Sequence, residues 1–210
     1  MNNYTYEAQN YTDFNTVEDV DISFPVIPHG TLAKVILHLK PGNYDDLSRN
    51  WTGGYATLNR DTKTVSLKCH FIIMEGSYAK QKVSGQIGLH SESGAYYAKR
   101  GRVFIKQMLD SAYGLHPDDQ SDKAVQARRT PNGFADLEGL IFWGRISVEA
   151  GKDKKGNPKD FNRLEEAVTP ADEDYPGLPS KASGCSPTSS APATVVKASD
   201  MSWMNHEGQK

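Results

Sequence analysis

Thr64–Gly76 reads TVSLKCHFIIMEG, and its alternation decides the fold class. Val65, Leu67, Cys69, Phe71 and Ile73 are apolar, with Ser66, Lys68, His70 and Ile72 falling between them. A period of two puts each set on its own face of a strand, so one face is expected to be buried. Similar runs lie on either side. TLAKVILHLK, residues 31–40, is β-branched and apolar and stops at the PGNYDD turn. WTGGYATL, residues 51–58, is a strand weakened by its glycine pair, and the NRDTK turn follows it. KVSGQIGLH, residues 82–90, is a shorter, glycine-interrupted candidate.

Helical spacing replaces alternation in KRGRVFIKQMLDSAYGL, residues 99–115, where Val103, Phe104, Met108, Leu109 and Ala112 recur on one face. Gly114 stands where a helix is expected to stop. A second short helix is expected over residues 118–129, DDQSDKAVQARR, with acids at its start and arginines at its end. Residues 134–168 then read FADLEGLIFWGRISVEAGKDKKGNPKDFNRLEEAV, an apolar run, a turn carrying four lysines against one aspartate, and a more polar run. That is a hairpin with a cationic tip.

These elements predict a mainly β protein: a small OB-like, partly open β-barrel over residues 25–168 with one or two inserted helices. A β-sandwich is the alternative. Residues 1–24 form an acidic arm with five acids and no Lys or Arg. Residues 169–210 are a Pro/Ser/Ala-rich tail, expected to lack fixed structure, with a short Trp203/Met204 motif near its end that suits docking. The net charge of -2 hides this partition, since residues 25–166 hold 21 basic against 16 acidic residues.

The chain has little that points to catalysis. It contains no GxSxG, HExxH, GxGxxG or complete phosphate-binding loop, and its six histidines are scattered singly. Asp136, Glu149 and Lys152 have the residue types of a metal-dependent nuclease core, but at a spacing too loose to specify one. No enzyme activity, metal or cofactor is expected. Two distant cysteines, no basic-apolar leader and no apolar run near the ~20 residues of a membrane span suit a cytoplasmic protein.

Cations interleaved with aromatics are what single-stranded nucleic acid requires, because phosphates need neutralising and bases need faces to stack on. Four groups fit. They are Trp51 and Tyr55 with Arg60; Tyr78 with Lys80 and Lys82; Tyr96 and Tyr97 with Lys99, Arg100, Arg102 and Lys106; and Trp143 with Arg145. Lys152, Lys154 and Lys155 cap the hairpin, a candidate lid over a groove opposite the Tyr96–Lys106 cluster.

The order of short strands, a helix, then Leu137, Gly139, a Lys-rich turn and Phe161-Asn162-Arg163 resembles the phage-encoded single-stranded DNA-binding proteins. It also resembles allied proteins of phage replication and recombination clusters. The resemblance implies an OB-fold that coats single-stranded DNA without sequence preference, with a tail that recruits replication or recombination proteins, and self-association is compatible with it. The family's dense acidic terminus is not matched: Asp172, Glu173 and Asp174 sit upstream and the chain ends SWMNHEGQK. The rival expectation is a structural or protein-interaction β-domain of a virion or assembly.

Overall fold

A computed structural model describes residues 24–153 and 155–179. The arm up to residue 23, Lys154 and the tail from residue 180, with its Trp203/Met204 motif, lie outside the described residues.

The alternating stretch forms β4 (Val65–Ile73), and its odd-numbered apolar side chains are all buried. Three strands meet it. One edge pairs along its whole length with β5 (Lys82–His90). The other edge is shared: its second half pairs with β1 (Thr31–Leu39), and its first half with β3 (Trp51–Leu58). β1 passes the sheet on to β6 (Ile141–Lys152), which pairs with β7 (Pro158–Val168). Every pairing is antiparallel. The PGNYDD turn, expected to be irregular, contributes a short strand, β2 (Tyr44–Asp46), on the outside of β3.

Among the described residues, β5 pairs only with β4, and β7 only with β6, so the curled sheet stays open between them. Along that opening lies helix α1 (Ala95–Tyr113), which packs against β5, β6 and β7. Six long strands, with helix α1 between the fourth and the fifth, make the mainly β, OB-like, partly open barrel that the alternation predicts. Gly114 ends α1 in the left-handed conformation (φ 64°), its N–H bonding the Asp110 carbonyl. α2 (Asp122–Ala127), capped by the Ser121 hydroxyl, is shorter than the expected helix. The sequence preceding β6 coils into a 3-10 turn at Gly133–Leu137, so the hairpin starts at Ile141.

The compact unit runs to Pro179 instead of stopping at Val168. Thr169 is buried, and its N–H and hydroxyl both donate to the Asp172 carboxylate. Tyr175 donates to the Ser111 carbonyl at 2.8 Å, so the first residues assigned to the tail instead strap onto the barrel.

Two close fits hold α1 over the opening. Gly101 meets Gly88 of β5 backbone to backbone, and a side chain at 101 would collide with the Gly88 carbonyl. Asp110, wholly buried, accepts from Arg128 Nε at 2.6 Å and Lys106 Nζ at 3.0 Å, which ties the segment after α1 to the helix. A buried carboxylate without such partners would be strongly destabilising. Gly101→Ala is expected to destabilise the fold by about 1–3 kcal/mol through overpacking against rigid backbone. A lower urea midpoint at unchanged m-value checks this.

Candidate nucleic-acid interface

β1, β4 and β5 contain no Asp or Glu. Alternation buries one face of each and leaves Lys68, His70, Lys82, Ser84 and Gln86 on the other, beside His38 of β1. The registers set these side chains next to one another: His38 faces His70, His70 faces Ser84, Lys68 faces Gln86, and Ile72 faces Lys82. Lys40 joins them, its N–H bonded to the Lys68 carbonyl. The cationic character is felt locally. Partial burial lowers the His70 pKa, and Lys40, Lys82 and His38 push it the same way, so this imidazole is neutral at pH 7.

The carboxylates nearest to this face have partners. Glu138 accepts from the Leu39 N–H at 2.6 Å and pairs with His38 Nδ1 at 2.8 Å, supplying a bond that β6 does not reach far enough to make. Glu75 takes the Lys34 ammonium at 2.8 Å, and that ammonium also lies 5.5 Å from the centre of the Trp143 ring. Lys40, Lys68 and Lys82 are exposed.

At its far side the face runs into α1. Gln86 donates to the Tyr97 hydroxyl at 3.0 Å, and the Tyr97 ring lies over Gly88, where a Cβ would strike it. Tyr96, Lys99, Arg100 and Arg102 are exposed on the same half of the helix. Beyond Tyr97 the open seam forms a groove of about 620 Å³ between β5, α1 and the base of the β6–β7 hairpin. The α1 cluster and the hairpin therefore do face each other. The groove between them carries Arg100 and Arg163 against Glu149, Glu165 and Glu166, a carboxylate majority unsuited to a phosphate chain.

Several expected contact residues are engaged elsewhere. Trp143 donates its indole N–H to the Gly177 carbonyl at 2.8 Å. Arg145 pairs with Glu166 at 2.8 Å and Asp174 at 3.0 Å, so both residues hold the 169–179 strap in place. Lys106 is committed to Asp110 and the Pro117 carbonyl. Trp51 is covered by Phe134 (centroids 6.3 Å apart) and by the Arg49 guanidinium at 5.1 Å. Tyr55 and Tyr78 pack partly buried against the core. Arg60 is exposed in the β3–β4 turn, Lys80 in the β4–β5 turn, and Lys152 and Lys155 at the hairpin tip, well apart from one another in the fold. Of the expected set, Lys82, Tyr97, Lys99, Arg100 and Arg102 border the cationic face. Lys40, Lys68, His38, His70 and Gln86 complete it. Their signal in the sequence is the polar half of the strand alternation, which carries no aromatic and so shows no interleaving of cations and rings.

Comparison with protein-family models, with curated proteins and with solved structures finds no match to this chain. Among the described residues, no helix is long and apolar enough to cross a membrane. None of their His, Cys, Asp and Glu side chains gather into a group of three or more that could hold a metal ion.

The strap supplies a test of this assignment. Arg145 holds the Asp174 carboxyl below its ordinary value of 3.8, so its contribution is present above that value and is lost as pH falls through the depressed one. Arg145→Ala is expected to speed amide exchange over residues 170–178 several-fold at neutral pH. The wild type is expected to show that loosening only on strong acidification.

Proposed function

We propose that the chain is a non-enzymatic protein that binds single-stranded DNA without sequence preference, coating it in replication, recombination or repair. The observation that carries this reading is the outer face of β1, β4 and β5, strands that contain no carboxylate, where Lys68 and Lys82 stand exposed with Lys40 just past the end of β1. An OB-type barrel binds oligonucleotides on an exposed strand face, and here the exposed cations gather on β4 and β5. Ammonium groups there neutralise phosphates without competition, and counterion release supplies much of the affinity. The residues on this face have few base-specific arrangements among them, which favours binding through the backbone and through stacking.

Under this reading the α1 residues Lys99, Arg100 and Arg102 continue the phosphate track past Tyr97. The source is a phage, the compartment is the cytoplasm of its host, and recruitment of replication or recombination proteins belongs to the tail. Self-association along DNA is compatible with the free sheet edges. A second reading, a protein-interaction β-domain, is favoured by one observation: among the described residues, β5 and β7 each leave an edge unpaired beside a groove rich in carboxylates, where an extended peptide could add.

Fluorescence anisotropy with labelled oligothymidine across a salt series tests the proposal. Each phosphate neutralised on a single strand contributes about 0.7 to the slope of log K against log salt. Lys68→Ala/Lys82→Ala is therefore expected to weaken binding and reduce the slope by about 1.4, whereas Arg145→Ala leaves the slope unchanged. Absence of binding at low salt, or binding indifferent to salt, would contradict the proposal and leave the protein-interaction reading.

A further inference from the structure

The distal half of the β6–β7 hairpin stands clear of the barrel. The pairing of β6 with β1 ends at Ile146, and among the described residues only β7 pairs with β6 from Ser147 onward. Among the described residues, Ile27 bonds Asn162 at the base of this two-stranded ribbon, and Glu149–Lys152 and Lys155–Phe161 beyond it are exposed. At about 3.4 Å per residue, the six residues from Ser147 to Lys152 carry the tip about 20 Å outward.

One large apolar side chain remains on this ribbon, and it is not put away. Phe161 is 43% exposed. Its ring lies across Gly151 of the neighbouring strand, where a built Cβ would come within 2.9 Å of ring carbon Cε2. The glycine thus gives one face of the ring a flat backbone seat. Strand alternation puts Lys159, Phe161 and Arg163 on the same face, and their partners Gly151, Glu149 and Ser147 face them in register. Arg163, Glu149 and Ser147 line the seam groove, and so does Tyr97, so the ribbon face carrying Phe161 lies across that groove from the cationic sheet. Arg163 neutralises Glu149 at 2.8 Å, and Lys159 is exposed.

An aromatic ring seated on one side, open on the other and next to the exposed Lys159 offers a π-face to a base and a positive charge to a neighbouring phosphate. We propose that Phe161 is a stacking platform for one unpaired nucleobase, and that it makes the protein prefer single strands over duplex. This inference rests on the nucleic-acid reading above and adds the residue that discriminates. Lysines alone attract any polyanion, and a duplex carries more charge per length than a single strand. A base already stacked in a duplex has no free face for Phe161, so the ring rewards only the unpaired strand.

The test uses the full chain, a labelled oligothymidine and a labelled duplex of the same length, with Phe161→Leu and Phe161→Tyr. Leucine keeps apolar cover on Gly151 but has no π-face, whereas tyrosine keeps both. Phe161→Leu is expected to weaken oligothymidine binding by about 5- to 150-fold, the range of one stacked base, with the salt slope unchanged. Duplex binding is expected to stay within twofold or so, so the preference for single strands shrinks by the same factor. Phe161→Tyr is expected to restore both. If Phe161→Leu binds oligothymidine as the wild type does, or loses oligothymidine and duplex binding equally, the stacking assignment is overturned and the ribbon is a structural extension. If the wild type binds no oligothymidine at all, the parent reading fails and takes this one with it. Matching far-UV circular dichroism and thermal midpoints of the three proteins separate a lost contact from a lost ribbon.

Discussion

The ring of Phe71 is where the fold of this protein is decided. It stands edge-on to Phe104 of α1 and Phe142 of β6, with centroids 6.2 and 6.0 Å away, and it fills the space that Gly85 leaves on β5. One side chain thus fixes four elements relative to one another. Edge-to-face contacts of this kind add to the stabilisation from burial alone. Because a strand has a period of two, seating Phe71 inward also seats Val65, Leu67, Cys69 and Ile73 inward, and turns Lys68 and His70 outward. The cationic face is a geometric consequence of the core. A one-residue slip of β4 would bury Lys68 and dissolve both. Cys69 belongs to this core too, and its burial pushes the thiol up to about 12, which leaves it unreactive.

The same packing sets where the barrel opens. With Gly101 of α1 pressed on Gly88 of β5, the helix lies beside the edge of β5 and the seam to β7 is not closed by pairing. The seam collects carboxylates from β6 and β7, and the face across β5 collects ammonium groups. Two surfaces of opposite character therefore meet at Tyr97. Electrostatic separation of this kind steers an anionic strand to one side of a molecule before any specific contact forms.

Much of the fold was legible in the sequence because it rests on local signals. The alternation of residues 64–76, the helical spacing after Lys99 and the glycine stop at 114 each describe one element with its immediate neighbours. What was not legible depends on partners far away in the chain. Trp143 and Arg145 share a strand face, as their spacing implies, but that face is covered by Asp174 and Gly177, which read as the start of an unstructured tail. Lys106 looks like one more cation of a helical stripe until Asp110 and the Pro117 carbonyl close around it. Conversely, the cationic face is assembled from β1, β4 and β5, and no single stretch announces it. Phe161 stood in the sequence beside Asn162 and Arg163. Its exposure depends on a ribbon that outruns its neighbouring strand, and that becomes visible only once the register of β1 with β6 is known.

Nucleic acid bound as proposed would lie on the β4–β5 face and pass by Tyr97. Photocrosslinking with an oligothymidine carrying a photoreactive thymine at each position in turn, followed by peptide mapping, tests this placement most directly. The expected crosslinks fall in the peptides that hold Lys68 to Lys82 and Tyr97, with Trp143 and Tyr175 unlabelled under their strap. Crosslinks concentrated at Trp143 and the strap, or scattered over the surface without regard to the cationic face, would contradict it.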